Sequence, residues 1–423
     1  MDKEHEKKQR KNLLQNLLIV LLSVSALLMF LQSQSVFDHQ NRLFSRWFSS
    51  GGTAAAPTLA SSELTALTAP VRIAVSGVYG RYGSLSTTTS DEEFSQLGSL
   101  LREALGSAEN TATACTEADF QHALSQPSVY YDFCSSLPLS VLAGYVGAEI
   151  SVSAFAQRIV LAEEDGKVLL YCSDGDAYTR ASTKVSSAQL QEVCNSYPLG
   201  NASFVFDLGQ GISLSPYSLL LTGDQESYPV LSAGSAVDST DTLLTALGFN
   251  PRTNSRYTES NGTEVVMEGD RTLRIRTDNT LEYDCGNAPE LLKVCSNPAP
   301  SLKEAVLGCS SFLGALSTPG DAGLYLQQVR EENGVRTLSF AYQSGGLLIL
   351  QRGGAPAAEI TLQGSSVLSF TFTMRQYRQS TSPSLILPLT QALAIARRYT
   401  GKQLQICYLD SGGTELSAGW IAG

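Results

Sequence analysis

The chain has 423 residues, a formal net charge of −11 and a hydrophobic content of 43%. This length predicts two or three domains, and this apolar fraction is enough for ordinary packed cores. Because proteins that bind nucleic acids through phosphates need a basic surface, the acidic balance argues against a nucleic-acid partner.

The first element in chain order is an apolar stretch of 19 residues from Leu13 to Leu31. In a helix that rises about 1.5 Å per residue it spans roughly 28 Å, close to the hydrocarbon thickness of a bilayer. Five basic residues precede it, and the cytoplasmic flanks of membrane helices carry such an excess of positive charge. We therefore predict a cytoplasmic tail over 1–12, a single transmembrane anchor over 13–32 and an extracytoplasmic remainder, which places the protein in the cell membrane.

Small residues in and after this stretch leave alternatives open. Cleavage of a signal peptide at Ser33-Gln34-Ser35 competes with the anchor, although the apolar core of a signal peptide usually has only about 7–15 residues. In a retained anchor, Ser23, Ser25 and Ala26 are candidate contacts for a partner's transmembrane helix, because small residues let helices approach closely in lipid. The two serines can instead bond back to carbonyls of their own helix.

Residues 33–70 are predicted to be a linker, since the second half of this segment is rich in Gly, Ala, Ser, Thr and Pro. An N-terminal α+β domain is predicted over 71–235, and its first helix follows a capping box of Ser90 and Glu93. Two more helices are predicted in this domain, at SLPLSVLAGYVGAE and SSAQLQEVCNS. Between them, a hairpin is predicted at RIVLAEEDGKVLLYC.

The rest of the chain shows the order of helix followed by antiparallel strands twice. A helix-plus-meander domain is predicted over 236–295, where Gly248 ends the helix and Asn261-Gly262 is a tight-turn signal. A C-terminal domain is predicted over 296–423, where a helix with a capping box precedes five strands, an amphipathic helix and a final hairpin. The predicted fold class is therefore α+β, an N-terminal transmembrane helix followed by extracytoplasmic domains that each lay a helix on an antiparallel sheet.

Eight cysteines occur, and none forms a C-x-x-C pair. Outside the cell, disulfide bonds are permitted, but buried free thiols are equally consistent with the pattern. The pairing of these cysteines is therefore left open at this stage, and their positions are 115, 134, 172, 194, 285, 295, 309 and 407.

Catalytic and metal-binding patterns are missing from most of the chain. Histidine occurs at positions 5, 39 and 122 and nowhere after, which excludes a Ser-His-Asp triad, a Cys-His pair or a His-rich zinc site from the second and third domains. We expect His122 to be a surface residue of a helix. Glycine-rich phosphate loops are absent, and the acidic residues of the first domain are predicted to lie in turns, at Glu163, Glu164, Asp165, Asp174 and Asp176. We therefore predict no catalytic residue, no metal site and no cofactor.

Together with the anchor, the stretch from Thr242 to Asp284 resembles the YycH family of membrane-anchored regulators. The last 35 residues, from Leu389, are similar to the close of YycH and of the related YycI, where a Trp lies in the last strand. Trp420 takes that place here, although Ala418-Gly419 precede it where the family usually has a nearby Pro. The residues of the first stretch that match are Phe249, Pro251, Tyr257, Thr258, Gly262, Leu281 and Tyr283.

The resemblance implies a protein that is not an enzyme. It implies association with a sensor histidine kinase of the WalK type, which controls cell-wall metabolism, and with a YycI-like protein. It also implies a YycI-like fold for 296–423. The alternative is an anchored extracytoplasmic module that binds a cell-wall or small-molecule ligand; a hydrolase with a carboxylate pair is a more remote possibility. A ligand-binding module would need a deep pocket with converging polar groups, whereas a kinase partner would need an exposed apolar surface.

Overall fold

The computed structural model describes residues 66–423 except for short gaps at 78–80, 86–91, 110–111, 149, 151–153, 209–211, 223–226, 238 and 253–254. The expected tail over 1–12, the anchor over 13–32 and most of the linker over 33–70 lie outside the described residues. No helix within the described part is long and apolar enough to cross a bilayer. The described residues belong to one compact unit, and its secondary structure is mixed α+β with strands predominating.

The helices are α1 Glu92–Ser107, α2 Glu117–Leu124, α3 Leu139–Tyr145, α4 Ser187–Asn195, α5 Thr240–Ala246, α6 Leu302–Leu316 and α7 Leu389–Ala396. The strands of the first half are β1 Arg72–Ser76, β2 Tyr82–Leu85, β3 Thr113–Ala114, β4 Ser128–Pro138, β5 Phe155–Glu164, β6 Lys167–Ser173, β7 Tyr178–Ser182, β8 Ala202–Phe204, β9 Leu219–Leu221 and β10 Pro229–Ser235. Those of the second half are β11 Ser255–Thr258, β12 Glu264–Glu268, β13 Arg271–Ile275, β14 Thr280–Asp284, β15 Gly323–Glu332, β16 Val335–Ser344, β17 Leu347–Gln351, β18 Ala358–Gln363, β19 Ser366–Thr373, β20 Arg375–Pro383, β21 Leu404–Asp410, β22 Glu415–Leu416 and β23 Ala418–Ala422.

The first sheet has nine antiparallel strands in the order β3-β7-β6-β5-β4-β1-β2-β8-β9. Helices cover both faces. Leu97 and Leu101 of α1 and Leu190 of α4 are buried in one apolar cluster, while Phe120 and Leu124 of α2 are buried in another. The predicted hairpin is confirmed as β5 and β6, and Asp165-Gly166 adopt the positive φ angles that its tight turn requires.

The second large sheet has eleven strands, with the path β11-β12-β13-β14-β19-β18-β16-β17-β21-β23 and with β15 on the free edge of β16. Its pairs are antiparallel except for β17 and β21, which run parallel. On its inner face, Phe312 of α6 packs edge-on against Phe370 of β19, with 5.5 Å between the ring centroids. A third sheet of three strands has the order β20-β10-β22.

The expected division into 71–235, 236–295 and 296–423 differs from the sheet pairing. Strand β14, from the meander, is hydrogen-bonded along its whole length to β19, so the second and third segments share one sheet instead of each holding its own. Strand β10, from the first segment, pairs with β20 and β22 of the third. The physical reason is that an uncovered strand edge leaves backbone donors and acceptors unpaired, and a distant strand satisfies them here.

Helix termini follow local chemistry. The predicted capping box of α6 is confirmed, because Ser301 and Glu304 each accept a hydrogen bond from the other's backbone N–H. The box expected at Ser90 and Glu93 lies outside the described side chains. Gly248 follows α5 with a φ of +70°, as a helix-ending glycine should.

A buried polar contact joins the first sheet to the C-terminal region. The carboxylate of Asp132 on β4 accepts hydrogen bonds from Arg72 on β1, at 2.7 and 3.1 Å, and from the side-chain amide of Gln403, at 2.9 Å. A second link is a 2.9 Å bond from the hydroxyl of Tyr325 on β15 to the carbonyl of Phe133 on β4. Residues near the two ends of the described chain are therefore held in one packed body.

Candidate protein-binding surface

The residues that the sequence singled out for contact or chemistry are not gathered in one place. Ser23, Ser25 and Ala26 lie outside the described residues. His122 is exposed on α2, as expected for a surface helix residue. Asp174 accepts hydrogen bonds from the backbone N–H groups of Asp176 and Ala177, at 3.0 and 2.8 Å, so its carboxylate shapes its own turn.

The acidic cluster of the first hairpin has a structural role as well. Glu163 and Glu164 close strand β5, so the expectation that they lie in the turn is wrong; the turn itself begins at Asp165. The Glu164 carboxylate forms an ion pair with Arg180 at 2.6 Å and accepts a 2.8 Å hydrogen bond from the hydroxyl of Tyr171. Tyr171 lies on β6 and Arg180 on β7, the next two strands of the sheet, so this carboxylate links three strands.

Six of the described thiols have a pKa raised by burial. Burial raises the pKa of the Cys172 and Cys194 thiols to about 12, and since the thiolate is the nucleophile and the metal ligand, these groups stay protonated. Burial is also the main cause that raises the pKa of four further thiols, Cys115, Cys285, Cys295 and Cys309. Within the described residues, seven cysteines are outside any disulfide bond, and no three His, Cys, Asp or Glu side chains are grouped to hold a metal ion.

Three of the residues that carry the YycH resemblance, Phe249, Leu281 and Tyr283, pack the core. The ring of Phe249, after α5, meets the ring of Tyr283 edge-on at 6.3 Å, and Tyr283 stacks on Phe370 at 5.4 Å. The guanidinium of Arg271 lies 4.5 Å from the Phe249 ring centroid and donates to the carbonyl of Gly248. The resemblance in this stretch therefore reflects how α5 is fastened to the meander.

Tyr257 is the large side chain of that set that points to solvent, and it lies on a free strand edge. Its strand, β11, begins the path of the eleven-stranded sheet, and among the described strands β12 alone is bonded to it. All four side chains of β11 are exposed, and Tyr257 retains 49% of its accessible surface. The outer edge of β11 is therefore open to pairing with a strand from another protein.

The bonding pattern fixes which backbone groups point outward. The N–H of Glu259 donates to the carbonyl of Thr263, which makes this pair a hydrogen-bonded one. Because hydrogen-bonded and non-bonded pairs alternate along antiparallel strands, Tyr257 bonds to β12 while the N–H groups of Arg256 and Thr258 face away from it. Two donors and two acceptors are thus presented at this edge.

The outer face of the same sheet continues this surface. Met267 on β12 lies on the face of Tyr257 and is 41% exposed. Next to it, a polar depression of about 210 Å³ opens on β13, β14, β18 and β19. Its charged residues are Arg274, Glu282, Asp284 and Glu359. We call Tyr257, Met267 and the free edge of β11 the meander edge.

A second concavity lies on the first sheet's helical layer. It is a groove of about 340 Å³ between α1 and α4, open to solvent and lined largely by polar side chains, among them Glu103, Gln189 and Glu192. Gln189 donates a 3.1 Å hydrogen bond across it to Glu103. Its volume is at the lower limit for small-molecule sites, which are usually enclosed and mostly apolar.

No family model matches the chain, and neither a curated protein nor a solved structure matches it. The fold is that of an α+β protein, and among its described edge strands β11 lies next to an exposed aromatic side chain. Strand edges of this kind are where other proteins add a strand from a binding partner.

Proposed function

We propose that this protein is a membrane-anchored, extracytoplasmic regulator that binds a sensor histidine kinase of the WalK type and alters its output without catalysing a reaction. Support comes from the resemblance of residues 242–284 and 389–423 to YycH and YycI. The observation that carries the proposal is the meander edge, where Tyr257, a residue of that resemblance, is exposed on an unpaired strand.

On this proposal, the kinase's extracytoplasmic domain adds a strand to β11. Main-chain hydrogen bonds to the outward groups of Arg256 and Thr258 give affinity, and the side chains of Tyr257 and Met267 give specificity. Aromatic side chains that are exposed before binding and buried afterwards are the usual centres of binding energy in such interfaces. The transmembrane residues Ser23, Ser25 and Ala26 would add a second contact in the bilayer, and a YycI-like protein is a further expected partner.

A regulator of this kind changes kinase output only if it binds two kinase states with different affinity. A difference of about 1.4 kcal/mol between the two states shifts their ratio tenfold. This is about what one well-buried aromatic contact contributes, so a contact made in one state and not in the other is enough.

The test is capture of the kinase from solubilised membranes by the full-length protein, with variants of one residue. Thr258→Pro removes an outward N–H without disturbing the bonds to β12, because proline is tolerated on strand edges that face solvent. Thr258→Val keeps the N–H and the branched side chain and is the matched control. We expect the proline variant and Tyr257→Ser to lose the kinase and Thr258→Val to retain it.

The proposal is overturned if no version captures a kinase and deletion of the gene leaves the output of every kinase unchanged. The second candidate is then an anchored ligand-binding module, and the groove between α1 and α4 is the observation that favours it. Equal capture by all variants would instead show that the kinase binds elsewhere than at the meander edge.

A further inference from the structure

The charge of one long segment is opposite to that of the whole chain. No Asp or Glu occurs between Glu359 and Asp410, although the protein as a whole has 40 acidic and 29 basic residues. The segment holds five basic residues instead, Arg375, Arg378, Arg397, Arg398 and Lys402. Arg375 is used in an ion pair with Asp410 at 3.0 Å, and the other four are exposed.

The same segment exposes large apolar side chains. Leu385, in the connection between β20 and α7, is 92% exposed, and Leu387 is exposed as well. On α7 and just after it, Ile395 and Tyr399 also point to solvent. A single exposed leucine needs no explanation, but four large apolar residues within fifteen positions, among exposed basic residues, do.

Trp420 makes a contact with this segment. Its indole N–H donates a 3.0 Å hydrogen bond to the carbonyl of Leu387, and Trp420 and Leu393 both pack against the apolar cluster that contains Ala396 of α7. Just beyond the helix, the guanidinium of Arg398 lies 5.2 Å from the ring centroid of Tyr399. We call the exposed residues of 378–402 the C-terminal basic surface.

We propose that the C-terminal basic surface lies on an anionic lipid membrane, with Leu385, Leu387 and Ile395 in the interface and the four exposed basic residues against the headgroups. The helix α7 itself holds no basic residue, but exposed apolar side chains lie next to basic ones in this segment, and at a membrane surface apolar burial and attraction to anionic lipid add together. The acidic remainder of the protein is repelled by the same lipid, so this surface is the one that can approach it. The proposal rests on the anchored location proposed above.

A control position exists in a different group of strands. The C-terminal basic surface adjoins β23, which pairs with β21, whereas Tyr257 lies on β11, which pairs with β12 of the meander. Among the described strands, none of the meander strands β11 to β14 is bonded to β21 or β23. A group at position 257 therefore samples exposed surface that this proposal keeps away from lipid.

The experiment places a photoreactive benzophenone side chain at position 385, or at position 257, of the full-length protein in vesicles. The vesicles contain mixed phosphatidylcholine and phosphatidylglycerol, or phosphatidylcholine alone, and mass spectrometry measures lipid adducts. We expect adducts at 385 and not at 257, and many fewer at 385 in the neutral vesicles. Resistance to alkaline extraction reports on the anchor separately, so a failed anchor and a failed surface contact are distinguishable.

Charge variants complete the test. Each basic residue near an anionic surface contributes about fivefold to binding, so Arg397→Gln with Arg398→Gln should weaken the contact by about 25-fold, while Arg397→Lys with Arg398→Lys should preserve it. Equal lipid adducts at both positions would overturn the proposal. So would adducts at 385 to a second copy of the chain, or to a co-reconstituted kinase, in place of lipid.

Discussion

The carboxylate of Asp132 is expected to be the most costly single group to remove from this fold. It is completely buried, and it accepts hydrogen bonds from Arg72 and Gln403, residues 60 and 271 positions away in the chain. Arg158, on the adjacent strand β5, is also buried and is within 3.5 Å of the Gln403 side chain. One carboxylate thus lies near the partly buried Arg72, the buried Arg158 and an amide.

The magnitude follows from this arrangement. Asp132→Ala removes the negative charge and leaves the Arg72 guanidinium, whose side chain is 14% exposed, without it. Breaking a buried ion pair from one side costs about 3–5 kcal/mol, because the remaining charge is poorly solvated. Against a total stability of about 5–15 kcal/mol for a typical domain, this is a large fraction. Asp132→Asn keeps an acceptor oxygen and should cost less.

The assay is equilibrium unfolding of the full-length protein in urea, followed by circular dichroism. The matched control is Arg276→Ala, which breaks an exposed pair with Glu282 and should cost below about 1 kcal/mol. A double-mutant cycle between Asp132→Ala and Gln403→Ala should show a coupling of about 0.5–3 kcal/mol. If Asp132→Ala costs no more than the control, the reasoning about this buried contact is refuted.

Three further predictions concern single positions. Gly286→Ala should lower the melting temperature and cost about 1–3 kcal/mol of folding stability. The φ of Gly286 is +55°, and a Cβ there would lie 2.2 Å from the backbone oxygen of Asp270 in the facing turn. An unchanged melting curve would contradict this. The hydrogen bonds from the backbone and side chain of Ser301 hold the pKa of Glu304 below its ordinary value. Their stabilisation is therefore present at neutral pH and is lost as the pH falls through the pKa that Glu304 has in the folded protein. In Ser301→Ala, an NMR titration should show that the pKa of Glu304 rises. Cys172 and Cys194 should resist alkylation at mildly alkaline pH until urea unfolds the protein, and rapid labelling of the native chain would disprove their burial.

Local chemistry made the elements of this fold predictable. The box of Ser301 and Glu304 marked the start of α6, and Gly248 marked the end of α5, because each satisfies backbone groups within a few residues of itself. The turn at Asn261-Gly262 was likewise predictable, although Gly262 alone adopts a positive φ there, while the Asn261 side chain accepts the N–H of Thr263. Such signals act over short distances, so they identify helices and strands one at a time.

The neighbours of each strand could not be predicted in the same way. Nothing in the meander indicates that β14 pairs with β19, about ninety positions later, or that β10 pairs with β20. The candidate surface shows the same division. The resemblance pointed to Tyr257 together with Phe249 and Tyr283, but sequence could not tell the exposed ring from the two buried ones. Burial depends on which elements pack over a residue, and that is decided by long-range pairing.

The meander edge belongs to the eleven-stranded sheet, and the C-terminal basic surface is attached to strand β23 of that sheet through the hydrogen bond from Trp420 to Leu387. This has a physical consequence for how the two proposed contacts would act together. The meander edge and the C-terminal basic surface are connected by continuous backbone hydrogen bonding from β11 to β23. A sheet whose strands are paired throughout, packed on α6 and joined through Asp132 to a second sheet, moves as one body. Lipid contact at the C-terminal basic surface would therefore restrict the orientation of the meander edge. A restricted orientation raises the effective concentration of a binding site towards a partner in the same membrane. Neither contact needs to change the shape of the protein for the two to be coupled.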